Sequence, residues 1–514
     1  MRHLTLISGA DDTHTLDALF VNAPLRDYSR RPRTNDYTLP VLGMAYIATY
    51  AKQAGFNVGV LDAEAHGLGI AQTAQIVNEA TPRWVGMNLL APTYQMSAQI
   101  ADRLDPGIAL MVGGHHAKAL PARILADPRM RHLRALVIGE GELRVAALLE
   151  DEQRRRELPD VLWRDPLLGT TGMGIADTRT KARLLGPDIN SLPYVDRAFL
   201  PQDPYRAAPS VSDRRLAAWR GSQWLAAAAV HGHMEANIVG SRGCPYNCGF
   251  CGAAWSANPD VKIRVRSPEN ILGELDALHD EYGVTAFRFV DDLFLGVRDV
   301  IYEHMKAFAE HRIGEKYVWD ATGRINILDR LTDQDLDVLV SNGLREVALG
   351  IESGSDRILK AMDKRITAEM TERVTRRLLQ RGIGVKGYFI LGYPGETRID
   401  LDATVRHIRN LWDLADRSPG SIRASVFEFR PYPGTPVWKT LTEEAGHHPD
   451  ELLAYGDVDL TQNGADESMR QRDEFNFSVG IQFGDVPLED IRATLAMLTR
   501  EQHERNQAGL ESAA

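Results

Sequence analysis

Segments that read as strand and segments that read as helix alternate twice along this chain, and that alternation restricts it to a parallel α/β architecture. The first series covers residues 16–150. LDALFVNAPL (16–25) is a buried strand running into a proline loop, and LPVLGMAYIATYAKQAGF (39–56) is a helix ended near Gly55. NVGVLDAE, RWVGMNLLAP, IALMVGG and ALVIGEGE supply four more strands, with AQTAQIVNEA and MSAQIADRL as helices between them. The expectation is a parallel sheet with helices on both faces, which binds ligands beyond the carboxyl ends of its strands. The loops at that edge are NAPLRD, DAEAHGLG, APT, GGHH and GEGE, several with Gly or Ala that let a ligand approach the backbone.

Residues 151–235 are irregular and read as a connector; the run Arg154, Arg155, Arg156 inside it reads as a solvated helix face. The second series, 236–440, holds six βα-type units and predicts a partial (β/α)6 TIM-type barrel with its chemistry at the C-terminal rim. Its clearest helix is 267–283, with Ser267 as N-cap, Pro268 at N1, Ile271, Leu275 and Leu278 on one face, and Gly283 to end it. The tail, 441–514, reads as a mainly helical cap with a helix opening at Pro487. A chain of 514 residues is too long for one core, in keeping with several domains.

A net charge of -11 argues against a nucleic-acid or anionic-membrane binder. No apolar run approaches the ~20 residues that span a bilayer and MRHLTLISGA does not read as a signal peptide, so a soluble, cytoplasmic protein is expected. The chain has three cysteines, Cys244, Cys248 and Cys251, all inside SRGCPYNCGFCGAAW (241–255) at the end of the first barrel strand. Three thiols in one loop build no disulfide framework. The spacing C-x3-C-x2-C suits an iron–sulfur cluster, for which three ligands leave one iron with an open position. The alternative is a zinc site completed by one of 15 histidines, although zinc knots usually pair their ligands in two short clusters.

CPYNCGFC resembles the cluster motif of the radical S-adenosylmethionine (SAM) superfamily. The resemblance implies a [4Fe-4S] cluster on Cys244, Cys248 and Cys251, with SAM chelating the fourth iron and yielding a 5'-deoxyadenosyl radical. It also places Phe250 near the adenine, Asp291 or Asp292 of FVDD near the SAM amino group, and Glu352 of GIESGS at the ribose with Ser353 beside it. Gly392 of GYFILGYPGE falls in the adenine-binding strand. An aspartate after a strand is also a common helix N-cap. Arg324 and Arg430 are candidates for pairing a carboxylate of SAM or substrate, or for structural ion pairs.

The first series resembles the Rossmann-like cobalamin-binding domain that precedes the barrel in class B radical SAM enzymes. The matching residues are NAPLR (22–26), LPVLG (39–43), DAEAHG (62–67), GGHH (113–116) and GEGE (139–142). The implied cobalamin contacts are Asn22, Leu25, Leu39, Asp62, Glu64, Thr93, Gly113, Gly114, His115, Gly139, Glu140 and Gly141. A nucleotide-binding Rossmann domain is the alternative, but no G-x-G-x-x-G follows the first strand. Related cobalamin domains carry D-x-H-x-x-G, whose His ligates cobalt; here Glu64 fills the His slot and His66 comes two places late. The resemblance therefore implies base-off cobalamin without a histidine ligand, with His66, His115 and His116 left to loop packing.

Together the halves resemble a class B cobalamin-dependent radical SAM methyltransferase. The implied reaction is C-methylation of an unactivated carbon in a small, natural-product-type substrate, possibly carrier-bound, through methylcobalamin. It implies an external electron donor such as flavodoxin or ferredoxin. A non-methylating rearrangement, cyclisation or oxidation with the same cofactors is the alternative.

Overall fold

The computed structural model describes residues 4–31, 40–165, 169–173, 186–201, 234–258, 263–457 and 477–513. The chain divides into two compact units, one built on Met1–Ala208 and the other on Ile263–Pro431 with Pro209–Ala257 and Thr435–Ala514.

In the first unit, strands β1 (Ala18–Asn22), β2 (Val58–Asp62), β3 (Trp84–Asn88), β4 (Ala109–Gly113) and β5 (Leu133–Val137) run parallel in the order β2-β1-β3-β4-β5. VGVLD is buried along its whole length, as a strand covered on both faces must be. Helices Leu42–Gln53, Ile70–Ala80, Tyr94–Ala101 and Glu142–Glu150 fall between or after these strands, so the expected parallel sheet is present. Two strands from the stretch read as a connector, β6 (Val161–Asp165) and β7 (Thr170–Met173), extend the sheet antiparallel beyond β5.

The expectation of a solvated Arg154–Arg156 face fails at its middle residue. Arg154 pairs with Glu150 and Arg156 lies over the Trp163 ring, but the Arg155 side chain is buried and paired with Glu152. The segment is a short 3-10 helix, Glu152–Arg156, packed beside β6. Charge runs report composition; which residue turns inward depends on the local turn.

The second unit holds six parallel strands, β8 (Met234–Ile238), β11 (Val284–Phe289), β12 (Val318–Gly323), β13 (Leu344–Glu352), β14 (Gly384–Leu391) and β15 (Ile422–Glu428), in sequential order. Between β8 and β11 lies a small ladder of β9 (Ser241–Arg242) with β10 (Arg264–Val265). Among the described strands β8 and β15 do not pair, so this is an open (β/α)6 sheet. Alternation on β13 sends Val347, Leu349 and Ile351 into the apolar core, where they meet helix residues such as Leu359, Val374 and Leu378. Each such burial is worth roughly 2 kcal/mol.

The helix expected at 267–283 forms over Pro268–Tyr282. Ser267 caps it by accepting from the Asn270 N–H, and Gly283 ends it in the left-handed region at φ 70°. The tail helix runs Leu488–Ala513 and adds Ile491, Leu495 and Leu498 to the same core.

Candidate functional site

The cysteine loop leaves β8 and is braced before it begins. Arg266, buried against Glu274, donates to the Val239 carbonyl at 2.9 Å, and the Arg266 N–H donates to the Gly240 carbonyl at 2.8 Å. The Asp291 carboxylate accepts from the N–H groups of Gly240 and Ser241. Burial pushes the Asp291 carboxyl up to about 6 despite those donors. Both its oxygens are therefore committed to shaping the loop entrance. Asp292 is exposed at the next position, and its charge reaches the thiols of Cys244 and Cys251. Of the FVDD pair, Asp292 is the one electrostatically placed toward the cysteines.

Within the loop the backbone is closed by short bonds. Cys251 N–H donates to the Cys248 carbonyl at 3.0 Å, Trp255 N–H to the Tyr246 carbonyl at 3.0 Å, and Gly249 N–H to the Met362 carbonyl at 2.8 Å. All three cysteines are free thiols, with Cys248 buried. Burial pushes the Cys251 thiol up to about 12, and raises that of Cys244 as well. Among the described residues no group of three or more His, Cys, Asp or Glu converges on one metal ion. A cluster takes each thiolate on a different iron, and the three thiols of this one short loop are the residues that would hold it.

Four later strand ends carry the remaining candidates, and one of them touches a thiol directly. Arg324, after β12, lies with its guanidinium 4.0 Å over the Tyr246 ring and donates to the Cys248 Sγ at 3.3 Å. Glu352 ends β13 at φ 66°, a left-handed conformation that costs a non-glycine residue about 1–3 kcal/mol and clusters at functional sites. Its buried carboxylate accepts from Lys364 Nζ at 2.6 Å, and Lys364 also lies 5.6 Å from the Phe250 ring centre. Ser353 is fully buried, its hydroxyl 3.0 Å from Thr404 Oγ1 and accepting from the Ser355 N–H. Its role in this structure is to hold the turn after β13. Gly392 follows β14, and its N–H donates to Glu396 Oε2 at 2.6 Å. Arg430 donates to the Phe477 carbonyl at 2.5 Å.

Sequence reasoning singled out neither Lys364 nor Glu396. Lys364 has no motif: a buried Glu352 demands a cation, but nothing local says which. Glu396 closes the GYFILGYPGE motif, where an acid after a Pro-Gly turn reads as an ordinary solvated loop residue. Its side chain is fully buried, and among the described residues Oε1 has no hydrogen-bond partner. Burial pushes its carboxyl up from 4.5 to about 7. A raised carboxyl pKa means the folded chain keeps a proton that the unfolded chain has lost. The Glu396 contribution to stability should fall as pH rises from 4.5 to about 7, by up to about 3 kcal/mol, and stay level above. Glu396→Gln keeps the acceptor for Gly392 and should remove that slope. Chemical denaturation at several pH values checks it; parallel curves for both proteins would disprove it.

In the first unit, the ladder sets strand ends side by side, Asn22 opposite Asp62 and Asn88 opposite Gly113. Asn22 Nδ2 donates to Asp62 Oδ1 at 2.8 Å, and the same oxygen accepts from the Ala65 N–H. Glu64, buried in the position of the missing histidine, accepts from the Leu25 N–H at 2.8 Å and the Tyr28 hydroxyl at 2.7 Å. Thr93 lies at the start of helix Tyr94–Ala101 and is buried. Gly114 has φ 96°, and a Cβ there would stand 2.9 Å from the Leu89 carbonyl oxygen. His115 is exposed, whereas His116 is buried against the Tyr94 ring at 4.6 Å, and burial pushes its imidazole down to about 4. Glu140 gives its carbonyl to Arg144 at 2.8 Å, next to Gly139; Gly141 precedes helix Glu142–Glu150 and packs on Ile47. Leu39 lies outside the described residues. The carboxyl edge thus offers glycine backbone, amides and a locked carboxylate, with no imidazole at the Glu64 position. That donor set fits cobalamin held without a ligand from this slot.

Residues 238–408 match the Radical SAM superfamily model, and residues 33–149 match the B12 binding domain model. The uncharacterized methyltransferase PH0819 of Pyrococcus horikoshii is 28% identical over 408 residues, 78% of each chain. The cytidylyl-2-hydroxyethylphosphonate methyltransferase of Streptomyces wedmorensis is 25% identical over 448 residues, 80% of this chain and 79% of that one. An anaerobic magnesium-protoporphyrin IX monomethyl ester cyclase of Rubrivivax gelatinosus is 24% identical over 436 residues, 81% of this chain and 72% of that one. The fold is similar to that of the radical SAM methyltransferase TsrM from Kitasatospora setae, with TM-score 0.61 and 17% identity over 84% of this chain and 76% of that one. The two domains imply a [4Fe-4S] cluster, SAM and cobalamin as the chain's cofactors. Among the described residues no helix is long and apolar enough to cross a membrane. The chain belongs to the class B, cobalamin-dependent radical SAM enzymes, in their methyltransferase-like branch.

Proposed function

We propose that this enzyme transfers a methyl group to an unactivated carbon of a small-molecule substrate. The observation that carries the reading is the combination, in one chain, of a three-thiol loop with a cobalamin-type sheet edge whose histidine slot holds a locked carboxylate, Glu64. When bound, SAM on the cluster supplies a 5'-deoxyadenosyl radical that removes a substrate hydrogen, and cobalamin supplies the methyl group.

The chain's own residues have narrower tasks. Cys244, Cys248 and Cys251 hold the cluster. Phe250, Asp292, Glu352 and the Gly392 backbone receive SAM, while Asp291 and Ser353 support the loops that present them. The amides and glycines at Asn22, Leu25, Asp62, Thr93, Gly113, Gly114, Gly139, Glu140 and Gly141 hold cobalamin, with His115 at the exposed rim; Leu39 is assigned to the same cofactor on the resemblance of its motif alone. Lys364 holds the Glu352 carboxylate in one orientation, and Tyr28 does the same for Glu64. We assign residues 1–150 to cobalamin, 236–440 to the radical chemistry, and the intervening 151–235 and terminal 441–514 segments to substrate contacts. The enzyme works in the cytoplasm, takes electrons from a flavodoxin or ferredoxin, and acts on a natural-product intermediate, free or carrier-bound.

The similarity to a cyclase supports a second reading, in which the same radical drives a net reaction without methyl transfer. One assay separates them. Reduced, cluster-loaded enzyme is incubated with cobalamin, candidate substrate and SAM labelled in its methyl group. Labelled product is the expected result. Product without label, with 5'-deoxyadenosine still formed, would leave the cyclase-like reading standing and overturn methylation.

A further inference from the structure

Arg324 offers an arrangement that the chemistry above does not use. Its guanidinium is buried, and each nitrogen is engaged within the protein: Nε with Asn326 Oδ1 at 3.3 Å, Nη1 with Cys248 Sγ at 3.3 Å, and Nη2 with the Lys364 carbonyl. The face of the group rests on Tyr246, which stands between the first two cysteines. Its backbone is fixed too, the N–H donating to the Leu295 carbonyl at 3.1 Å. A side chain held on its face and on every nitrogen is poorly free to swing toward a carboxylate of SAM or substrate. What it does face is the sulfur of the middle cysteine.

We propose that Arg324 sets the reduction potential of the cluster, by a charge-assisted hydrogen bond to the Cys248 sulfur. Hydrogen bonds to cluster sulfurs and the local charge are the levers by which a protein tunes such a centre. A four-iron core on three thiolates gains one negative charge on reduction, and a fixed positive charge at the sulfur stabilises the reduced form more than the oxidised one. Reduction moves one electron from a low-potential donor, a flavodoxin or ferredoxin in the cell or dithionite in the assay, onto the cluster. No bond forms or breaks, and a guanidinium keeps its proton in proteins. Arg324 is thus a positioning residue, acting through Cys248, and the Tyr246 ring and Lys364 carbonyl aim it.

The inference rests on the cluster assignment, and the test keeps the two apart. Wild-type chain, Arg324→Gln and Arg324→Lys are reconstituted anaerobically, assayed for iron and sulfide, and titrated by electron paramagnetic resonance without SAM. A wild-type chain that holds no four-iron cluster would refute the assignment itself. With clusters loaded, Arg324→Gln should lower the reduced-to-oxidised ratio about tenfold at a fixed solution potential, which is a downward shift of about 59 mV for one electron. Arg324→Lys keeps a charge but loses the planar fork, and should recover part of the shift. Unchanged midpoint potentials in loaded variants would overturn the proposal. If neither variant holds iron while circular dichroism shows the native fold, Arg324 serves cluster assembly instead, and the redox role is refuted.

Discussion

Cys248→Ala should leave a folded chain that holds no four-iron cluster and forms no detectable 5'-deoxyadenosine. The two halves of that outcome come from different parts of the structure. The loop's shape does not depend on the sulfur, because it is closed by main-chain bonds: Gly249 N–H to Met362, Val437 N–H to the Gly249 carbonyl at 2.8 Å, and Cys251 N–H to the Cys248 carbonyl. Removing one buried sulfur forfeits packing worth about 1 kcal/mol, as for other small truncations. The Arg324 Nη1–H loses its sulfur acceptor, but Nη2 keeps the Lys364 carbonyl. The cluster, by contrast, loses a third of its protein ligands, and the chain has no fourth cysteine to substitute. Iron and sulfide content, the 5'-deoxyadenosine yield and a denaturation curve read all three consequences. Persistent 5'-deoxyadenosine with a bound cluster would refute the ligand assignment. Loss of the fold together with the cluster would show that the thiol is chiefly a packing element.

Features closed within a few residues were legible in the sequence. The helix at Pro268–Tyr282 carries its own start and stop in Ser267 and Gly283, so the pattern needed no knowledge of its neighbours. The cysteine spacing is equally local, and so are the glycines at the carboxyl edge of the first sheet. Residues whose meaning depends on a distant partner were not. Asp291 and Asp292 are adjacent and chemically identical, yet the turn after β11 points one at Gly240 and Ser241 and leaves the other exposed. Arg324 could be read as a carboxylate partner from its type alone; only the fold shows that Tyr246 and Cys248 occupy it, 76 residues away in sequence from the latter. Strands β6 and β7 were hidden for a related reason, since an edge hairpin needs no crossover helix to announce it.

Lys364→Met should destabilise the second unit by about 3–5 kcal/mol, the usual cost of stranding one member of a buried ion pair. Both side chains of the Lys364–Glu352 pair are almost fully buried, so little water is at hand to replace the missing ammonium. The strand end already carries strain at Glu352, which gives the site little to lose before it refolds locally. The double variant Glu352→Gln with Lys364→Met removes both charges and should recover most of the stability, because a neutral pair no longer leaves a charge unpaired. SAM affinity should behave differently. If the Glu352 carboxylate receives the ribose, the double variant stays poor at binding SAM although its fold is restored, and Lys364→Met binds weakly for want of a held carboxylate. Denaturant titration gives the stabilities and equilibrium dialysis of the cluster-loaded proteins gives the affinities. Recovery of SAM binding along with stability in the double variant would reduce Glu352 to a structural acid. Continued loss of binding in a restored fold would identify the pair as a device in which one buried cation fixes the group that meets the cofactor.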